Sequence, residues 1–187
     1  MIETEYDVIV AGYGPVGETC ANLLGYYGIK ALILDKEKNA YPLPRAITWD
    51  AECQRAMSHC EFLSEVKTRK IRGVDNKDAN KKSIMKITTE GFDIYNYQHR
   101  ILFIHQPQFD EAHRENAEKY STNTIKTGSE LLAVDEINGV INCTYKNIDT
   151  NEQFTVTSKY LLACDGANST VRKLSNIKSV SYTHLTL

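Results

Sequence analysis

A short β-branched run, DVIVA (7–11), a glycine loop, GYGPVG (12–17), directly behind it, and a second apolar run, ALIL (31–34), closed by Asp35 predict an α/β fold built on a Rossmann-like parallel sheet. The first run has the composition of a strand buried on both faces. Pro15 to Tyr27 reads as the helix that follows. In it Val16, Cys20, Leu23, Leu24 and Tyr27 recur at helical spacing, and Gly28 supplies the stop. Strand, helix and strand make a βαβ unit of about 30 residues.

The chain then leaves this sheet. Asp50 to Leu63 reads as a helix with Cys53, Met57 and Cys60 on one stripe. Residues 67–82 hold seven Lys or Arg, but Gly73, Asp75, Asp78 and two Asn interrupt them, so a solvated loop is expected rather than a binding patch. Between Ser83 and Gln106 the pattern alternates, with IMKIT, FDIYNY and ILFIH as strands of a second sheet. Phe109 to Tyr120 reads as a helix returning to the first sheet on Phe109, Ala112, Ala117 and Tyr120. Glu130–Val134, Val140–Tyr145, Phe154–Thr157 and Tyr160–Cys164 then form a β-meander feeding a final buried strand, with Asn138-Gly139 and the stretch Asp149 to Glu152 as hairpin turns.

Composition narrows the function classes. With 187 residues the chain is long enough to bury a core. A net charge of −2, from 22 basic and 24 acidic residues, offers no field to gather nucleic acid or a membrane surface, so neither is an expected partner. The acidic start, MIETEYD, lacks a basic n-region, and no apolar run approaches the roughly 18 residues of a membrane span. A cytoplasmic protein is expected. Five cysteines without a C-x-x-C, and five histidines without metal-ligand spacing, read as reduced structural thiols and no metal site.

Gly12, Gly14 and Gly17 form G-x-G-x-x-G between a strand and a helix. The first glycine makes the tight turn, the second lets backbone approach a pyrophosphate, and the third lets helix pack on strand. The pyrophosphate belongs on the helix N-terminus, where unpaired N–H groups and the dipole favour negative charge. Pro15 at the first turn removes no needed donor, and Val16 follows it in the loop. Asp35, eighteen residues after Gly17, suits a carboxylate accepting from a ribose diol and disfavours a 2′-phosphate; Lys36 adjoins it. The loop by itself fits NAD and FAD equally.

Four ordered motifs separate the two: VAGYGPVG, YPLPRAI, HQPQFD and LLACDGANSTVR. Through them, over about residues 6 to 178, the sequence resembles the FAD-binding monooxygenases, the single-component flavin-dependent aromatic hydroxylases, and among these the 3-(3-hydroxyphenyl)propionate hydroxylase type. The resemblance implies a glutathione-reductase-like FAD-binding sheet with a β-meander and part of a second, substrate-domain sheet. It implies that Arg45, with Ala46 beside it, reaches the FAD phosphate and ribose region, where a planar guanidinium suits phosphate oxygens. It further implies that Gln106, or its neighbour Gln108, contacts the cofactor, that the main chain of Leu131 lies near adenine, and that Asp165 helps position FAD and NAD(P)H. Gly166 allows the close turn after that acid, Asn168 or Ser169 caps the next helix, and Arg172 is expected near Asp165.

The sequence departs from the resemblance at Asp35, where relatives often have Glu, and at His113 and Arg114, where they tend to be aliphatic. Relatives also continue through a second Gly-Asp motif and the rest of the substrate sheet. The expected organisation is therefore the N-terminal part of an FAD-binding domain over residues 1–178, with 67–105 in an incomplete substrate-binding sheet. Residues 179–187, ending in SYTHLTL, resemble translated sequencing adaptor and are read as a non-native tail.

The resemblance implies NAD(P)H as co-substrate, with dioxygen and a small aromatic substrate as partners; nothing speaks to oligomeric state. No residue emerges as acid, base or nucleophile, and His105 and Tyr97, though able to line a pocket, read as core or surface residues. Two other functions stay open at this point: a non-catalytic fragment binding FAD or another adenine dinucleotide, and an NAD-dependent dehydrogenase using Gly12 to Gly17 and Asp35.

Overall fold

The computed structural model describes residues 5–43, 45, 48–60, 66–88 and 101–178. Its elements, in chain order, are β1 (Tyr6–Ala11), α1 (Pro15–Tyr26), β2 (Ala31–Asp35), β3 (Thr48–Asp50), α2 (Ala51–Ala56), β4 (Thr68–Lys70), β5 (Gly73–Lys77) and β6 (Ser83–Thr88). They continue with β7 (Ile101–Ile104), α3 (Gln106–Glu118), β8 (Asn123–Thr127), β9 (Ser129–Ile137), β10 (Val140–Asn147), β11 (Gln153–Ala163) and α4 (Thr170–Leu174). Two compact units result: residues 1–40 with 120–187, and residues 41–119.

The first unit is a six-stranded sheet in the order β8-β2-β1-β11-β10-β9. Strand β1 lies at its centre and pairs parallel with both β2 and β11. Val8 to Ala11 and Ala31 to Leu34 are buried, as strands covered on both faces require. Ile9, Leu32, Leu34, Cys143, Tyr145 and Val156 form the core on one face. Each such aliphatic side chain, fully buried, contributes roughly 1.5–3 kcal/mol.

Three details of this unit depart from expectation. First, Phe154–Thr157 and Tyr160–Cys164 are not separate strands. The single strand β11 pairs antiparallel with β10 through its first half and parallel with β1 through its second. Second, β8 joins the sheet beside β2 although NTIKT carries little apolar signal. Third, α1 turns a different face inward. Gly17, Glu18, Ala21, Asn22 and Gly25 are buried, whereas Val16 is 64% and Tyr27 63% exposed. Small residues at every fourth position let the helix approach closely, and that close approach, not apolar bulk, fixes its rotation. Between β9 and β10, Asn138 and Gly139 both take positive φ, the type I′ turn that Asn-Gly favours.

The second unit contains a three-stranded sheet, β3-β7-β4, and a separate two-stranded ribbon, β5-β6. The strands expected at IMKIT and ILFIH therefore fall in different sheets among the described residues, and FDIYNY lies outside those residues. The basic stretch at 67–82 is not all loop: it supplies β4 and β5, both of them largely exposed. Helix α2 starts at an Asp50 cap, whose carboxylate accepts from Cys53 N, and is shorter than expected. Met57 and Cys60 join Trp49, Val66 and Phe109 in the core, while Cys53 is exposed. Helix α3 begins three residues earlier than expected and buries polar side chains, Gln106, Asp110, His113 and Asn116, beside Phe109 and Ala117.

Candidate dinucleotide site at the carboxyl edge of the sheet

Parallel register brings the carboxyl ends of β1, β2 and β11 to one edge, with Ala11 opposite both Leu34 and Ala163. The chain leaves this edge as the glycine loop, as Asp35-Lys36, and as Cys164-Asp165-Gly166. Ligands of open α/β sheets bind at such an edge, where strand order reverses.

The three glycines of the loop are there for different reasons. Gly12 has φ of +100°, and a Cβ on it would overlap the carbonyl of Cys164. Gly17 packs against Gly12, whose carbonyl oxygen a Cβ would overlap. Both are required by the fold. Gly14 is not: its backbone is extended, at φ −88° and ψ −171°, and a Cβ on it would meet nothing within 4 Å. It caps the N-terminus of α1, where Pro15 and Val16 are exposed in the first turn.

Asp35 braces the loop. Its Oδ2 accepts from Tyr13 N at 2.6 Å and its Oδ1 from Glu37 N at 2.7 Å. A ribose diol would share oxygens that already hold backbone. Lys36 points to solvent, its ammonium 4.0 Å from Glu37.

Asp165 Oδ2 accepts from Thr170 N at 2.6 Å and Val171 N at 3.0 Å, holding the start of α4. Its Oδ1 is buried with no hydrogen-bond partner among the described residues. The expected approach of Arg172 to Asp165 does not occur; the guanidinium donates to Ala167 O instead, at 2.9 Å. Oδ2 is committed to the two helix-starting backbone donors and Oδ1 is buried, while the guanidinium, on a partly exposed side chain, is held by the Ala167 carbonyl. Gly166 takes a φ of +78°, and Ser169 is the cap of α4, accepting from Arg172 N. Leu131 packs against the core beside a bulge at Thr144/Tyr145.

The remaining sequence-derived candidates lie in the second unit. Arg45 is exposed, with its guanidinium 4.0 Å above the Tyr41 ring. Its backbone N–H donates to Gln106 Oε1 at 2.8 Å, and Gln106 Nε2 donates to Asp110 Oδ2 at 3.2 Å. Gln106 is buried and Gln108 exposed. Burial pushes the Asp110 carboxyl up, against the opposing pull of Gln106 and of the charges on Arg114 and Arg45. Asp110 escaped the sequence reading, although its place four residues after Gln106 on a helix was the available signal. His105 is an exposed residue at the start of α3. Ala46 and Tyr97 lie outside the described residues.

Among the described residues, no group of three or more His, Cys, Asp or Glu is placed to hold a metal ion, and no helix is long and apolar enough to cross a membrane. The residues present do fit a dinucleotide. Gly14 leaves room that a Cβ would fill, and the buried Oδ1 of Asp165 needs a donor such as a ligand hydroxyl.

Comparison with known proteins identifies relatives of the chain. The chain is 31% identical over 180 residues to a 3-(3-hydroxy-phenyl)propionate/3-hydroxycinnamic acid hydroxylase of Comamonas testosteroni, covering 94% of this chain and 30% of that protein. A hydroxylase of the same name from Escherichia coli O139:H28 is 30% identical over 175 residues, 91% of this chain and 30% of its own length. The chain thus spans about 30% of the length of the curated relatives it matches. In fold it is similar to p-nitrophenol 4-monooxygenase PnpA from Pseudomonas putida DLL-E4, with a TM-score of 0.82 at 22% identity over 93% of this chain and 44% of that one. It is also similar to aklavinone-11 hydroxylase, crystallised with FAD and aklavinone, with a TM-score of 0.76 at 17% identity over 97% of this chain and 37% of that one. With the FAD binding domain profile matching residues 5–185, the chain belongs to the FAD-binding domain family.

Proposed function

We propose that this chain supplies the dinucleotide-binding part of an FAD-dependent, NAD(P)H-using monooxygenase that hydroxylates an aromatic, phenolic substrate with dioxygen. The observation that carries the reading is Gly14. Gly12 and Gly17 answer to the fold, whereas a side chain at Gly14 would disturb no protein atom within 4 Å, so the bare backbone there serves an approaching ligand.

FAD reduced by NAD(P)H supplies the oxygen activation and transfer. The chain's own residues bind and orient. The N-terminus of α1 takes the pyrophosphate through main-chain N–H groups such as those of Gly14 and Val16, while Pro15, which has no N–H, presets the first turn beside it. Asp35 holds the loop and shares its carboxylate with the ribose. Asp165 accepts a ligand hydroxyl at Oδ1 while Oδ2 keeps α4 in place. Leu131 is assigned to adenine and Lys36 to the ribose side on the resemblance alone. The same holds for Arg45, with Ala46 beside it, as a contact to the FAD phosphate and ribose region, for Gln106 as a contact to the cofactor, and for residues 67–105 as part of an incomplete substrate-binding sheet. The aromatic substrate class rests on the names of the hydroxylases at about 30% identity.

The test is titration of the purified chain with FAD, and in parallel with NAD, followed by flavin fluorescence and calorimetry. Saturable FAD binding without NAD binding is expected, and Gly14→Val weakens it about a hundredfold. Its unfolding free energy falls by no more than the roughly 1 kcal/mol that replacing a glycine cap costs. Equal FAD affinity in Gly14→Val and the parent chain would remove the reading.

A further inference from the structure

We propose that Cys20 and Cys164 are an oxidisable dithiol beneath the glycine loop, which hydrogen peroxide or another hydroperoxide converts to an intrachain disulfide. The sequence offers no hint of it, since the two residues are 144 positions apart and neither belongs to a C-x-x-C. The fold brings them together. Cys20 lies in the second turn of α1, Cys164 directly follows β11, and their sulfurs are 3.9 Å apart in a thiol–thiol contact. Both are partly exposed, so a small oxidant reaches them. Cys60 and Cys143 are buried, and Cys53 is exposed but lies in the other unit.

The two sulfurs are not equivalent. Either sulfur can donate in this contact, and a proton held on Cys164 favours the thiolate of Cys20 and lowers its pKa in spite of burial. The same bond and burial push Cys164 up, and the negative charge of the adjoining Asp165, which Cys20 does not have beside it, sets the asymmetry by disfavouring a thiolate there, so the proton stays on Cys164. Cys20 is therefore the nucleophile. Its thiolate attacks one peroxide oxygen, the O–O bond breaks, and the hydroxide released takes up a proton to leave as water, giving a sulfenic acid on Cys20. The Cys164 sulfur then attacks the Cys20 sulfur, the S–O bond breaks, and the Cys164 proton goes to the departing hydroxyl as a second water. Two thiols lose two electrons, and one peroxide becomes two waters.

Bond formation brings the sulfurs from 3.9 Å to about 2.05 Å. The surroundings leave little slack for that movement. Cys164 N donates to Ala11 O at 2.7 Å, the Cys164 carbonyl sits where a Cβ on Gly12 would be, and a Cβ on Gly17 would lie 3.5 Å from Cys164 Cβ. The displacement is therefore passed to the glycine loop and the start of α1. From this follows a second consequence, which rests on the FAD reading: the oxidised chain binds the dinucleotide more weakly.

The experiment uses the full chain, reduced, desalted, treated with equimolar hydrogen peroxide, blocked with N-ethylmaleimide and digested without reductant. A peptide joining Cys20 to Cys164, lighter by two hydrogens than the reduced pair, is the expected product. With Cys164→Ser, dimedone traps a sulfenic acid on Cys20. Recovery of both cysteines as maleimide adducts after oxidation, or a Cys20 sulfinic acid beside an alkylated Cys164, would overturn the proposal. So would a dimedone adduct on Cys164 in Cys20→Ser. FAD affinity of the cross-linked chain is expected to fall about tenfold and to return on reduction. If the cross-link forms and affinity is unchanged, the coupling to the loop is wrong; if the reduced chain binds no FAD, the FAD reading fails while the cross-link result stands.

Discussion

Lowering the pH should weaken the second unit through a single buried side chain, His113. Only 1% of it is exposed; its ring lies 4.2 Å from that of Phe109, and Nδ1–H donates to the Phe109 carbonyl at 3.2 Å. Burial is the dominant influence and lowers its pKa from 6.5 to about 4, against the smaller upward pull of that hydrogen bond. The folded state thus holds His113 neutral where the unfolded state has bound a proton. Stability is fully present above 6.5 and is lost as the pH falls from 6.5 towards 4. At about 1.4 kcal/mol per pH interval of one, the loss over that window is about 3 kcal/mol. Asp110 acts in the opposite sense, because its raised pKa favours the protonated folded form in acid, so the histidine must be isolated by difference. Urea unfolding of the parent chain and of His113→Gln, followed by fluorescence, provides that difference. The sole tryptophan, Trp49, packs on Phe109 with ring centroids 5.0 Å apart and reports on this cluster. Between about pH 7 and pH 4 the parent should lose about 3 kcal/mol more than the variant. Parallel losses in the two proteins would refute the reasoning.

Gly25→Ala places a Cβ against the Tyr120 ring stem, 2.7 Å from Tyr120 Cβ, and such overpacking should cost about 1–3 kcal/mol in urea unfolding; a change under roughly half a kcal/mol would mean that α1 is free to shift. Asp165→Ala removes the acceptor of two backbone donors and should cost about 1–3 kcal/mol, with faster hydrogen exchange at Thr170 and Val171; unchanged exchange there would show that α4 starts without it.

The strand–helix–strand beginning was legible because burial on both faces leaves an unbroken apolar run, and because glycine and Asp35 punctuate it at a fixed spacing. The meander was legible through its turns, since Asn138-Gly139 admits the required positive φ. Where packing rather than pattern decides, the sequence was silent or misleading. Apolar residues of α1 sit at helical spacing, yet the helix rotates until its small residues meet the sheet. β8 has too little apolar character to announce a strand, and β11 changes partners midway without changing its own appearance. In the site, the loop and both acids were legible by position. Their partners were not, because Tyr13 N on Asp35, Arg45 N on Gln106 and Cys20 on Cys164 link residues 22, 61 and 144 positions apart, with no local signature.

Those partners change how the site residues should be understood. A carboxylate at a strand end looks, in sequence, like a group waiting for a ligand. Here both acids already serve the scaffold: Asp35 fixes the glycine loop through Tyr13 N, and Asp165 fixes α4 through Thr170 N and Val171 N. Loss of either side chain would therefore weaken ligand binding by moving the backbone, even without any lost contact to the ligand. Gly14 differs because no neighbour constrains it, so a defect there can be read as a ligand effect. Asp165 lies between the two cases, with Oδ2 committed to the helix and Oδ1 buried without a donor among the described residues. A buried acceptor in that state costs roughly 1–3 kcal/mol until it is satisfied. If the ligand delivers a hydroxyl to Oδ1, as proposed above, that cost is removed, and ligand binding and the anchoring of α4 would then be coupled through the two oxygens of one carboxylate.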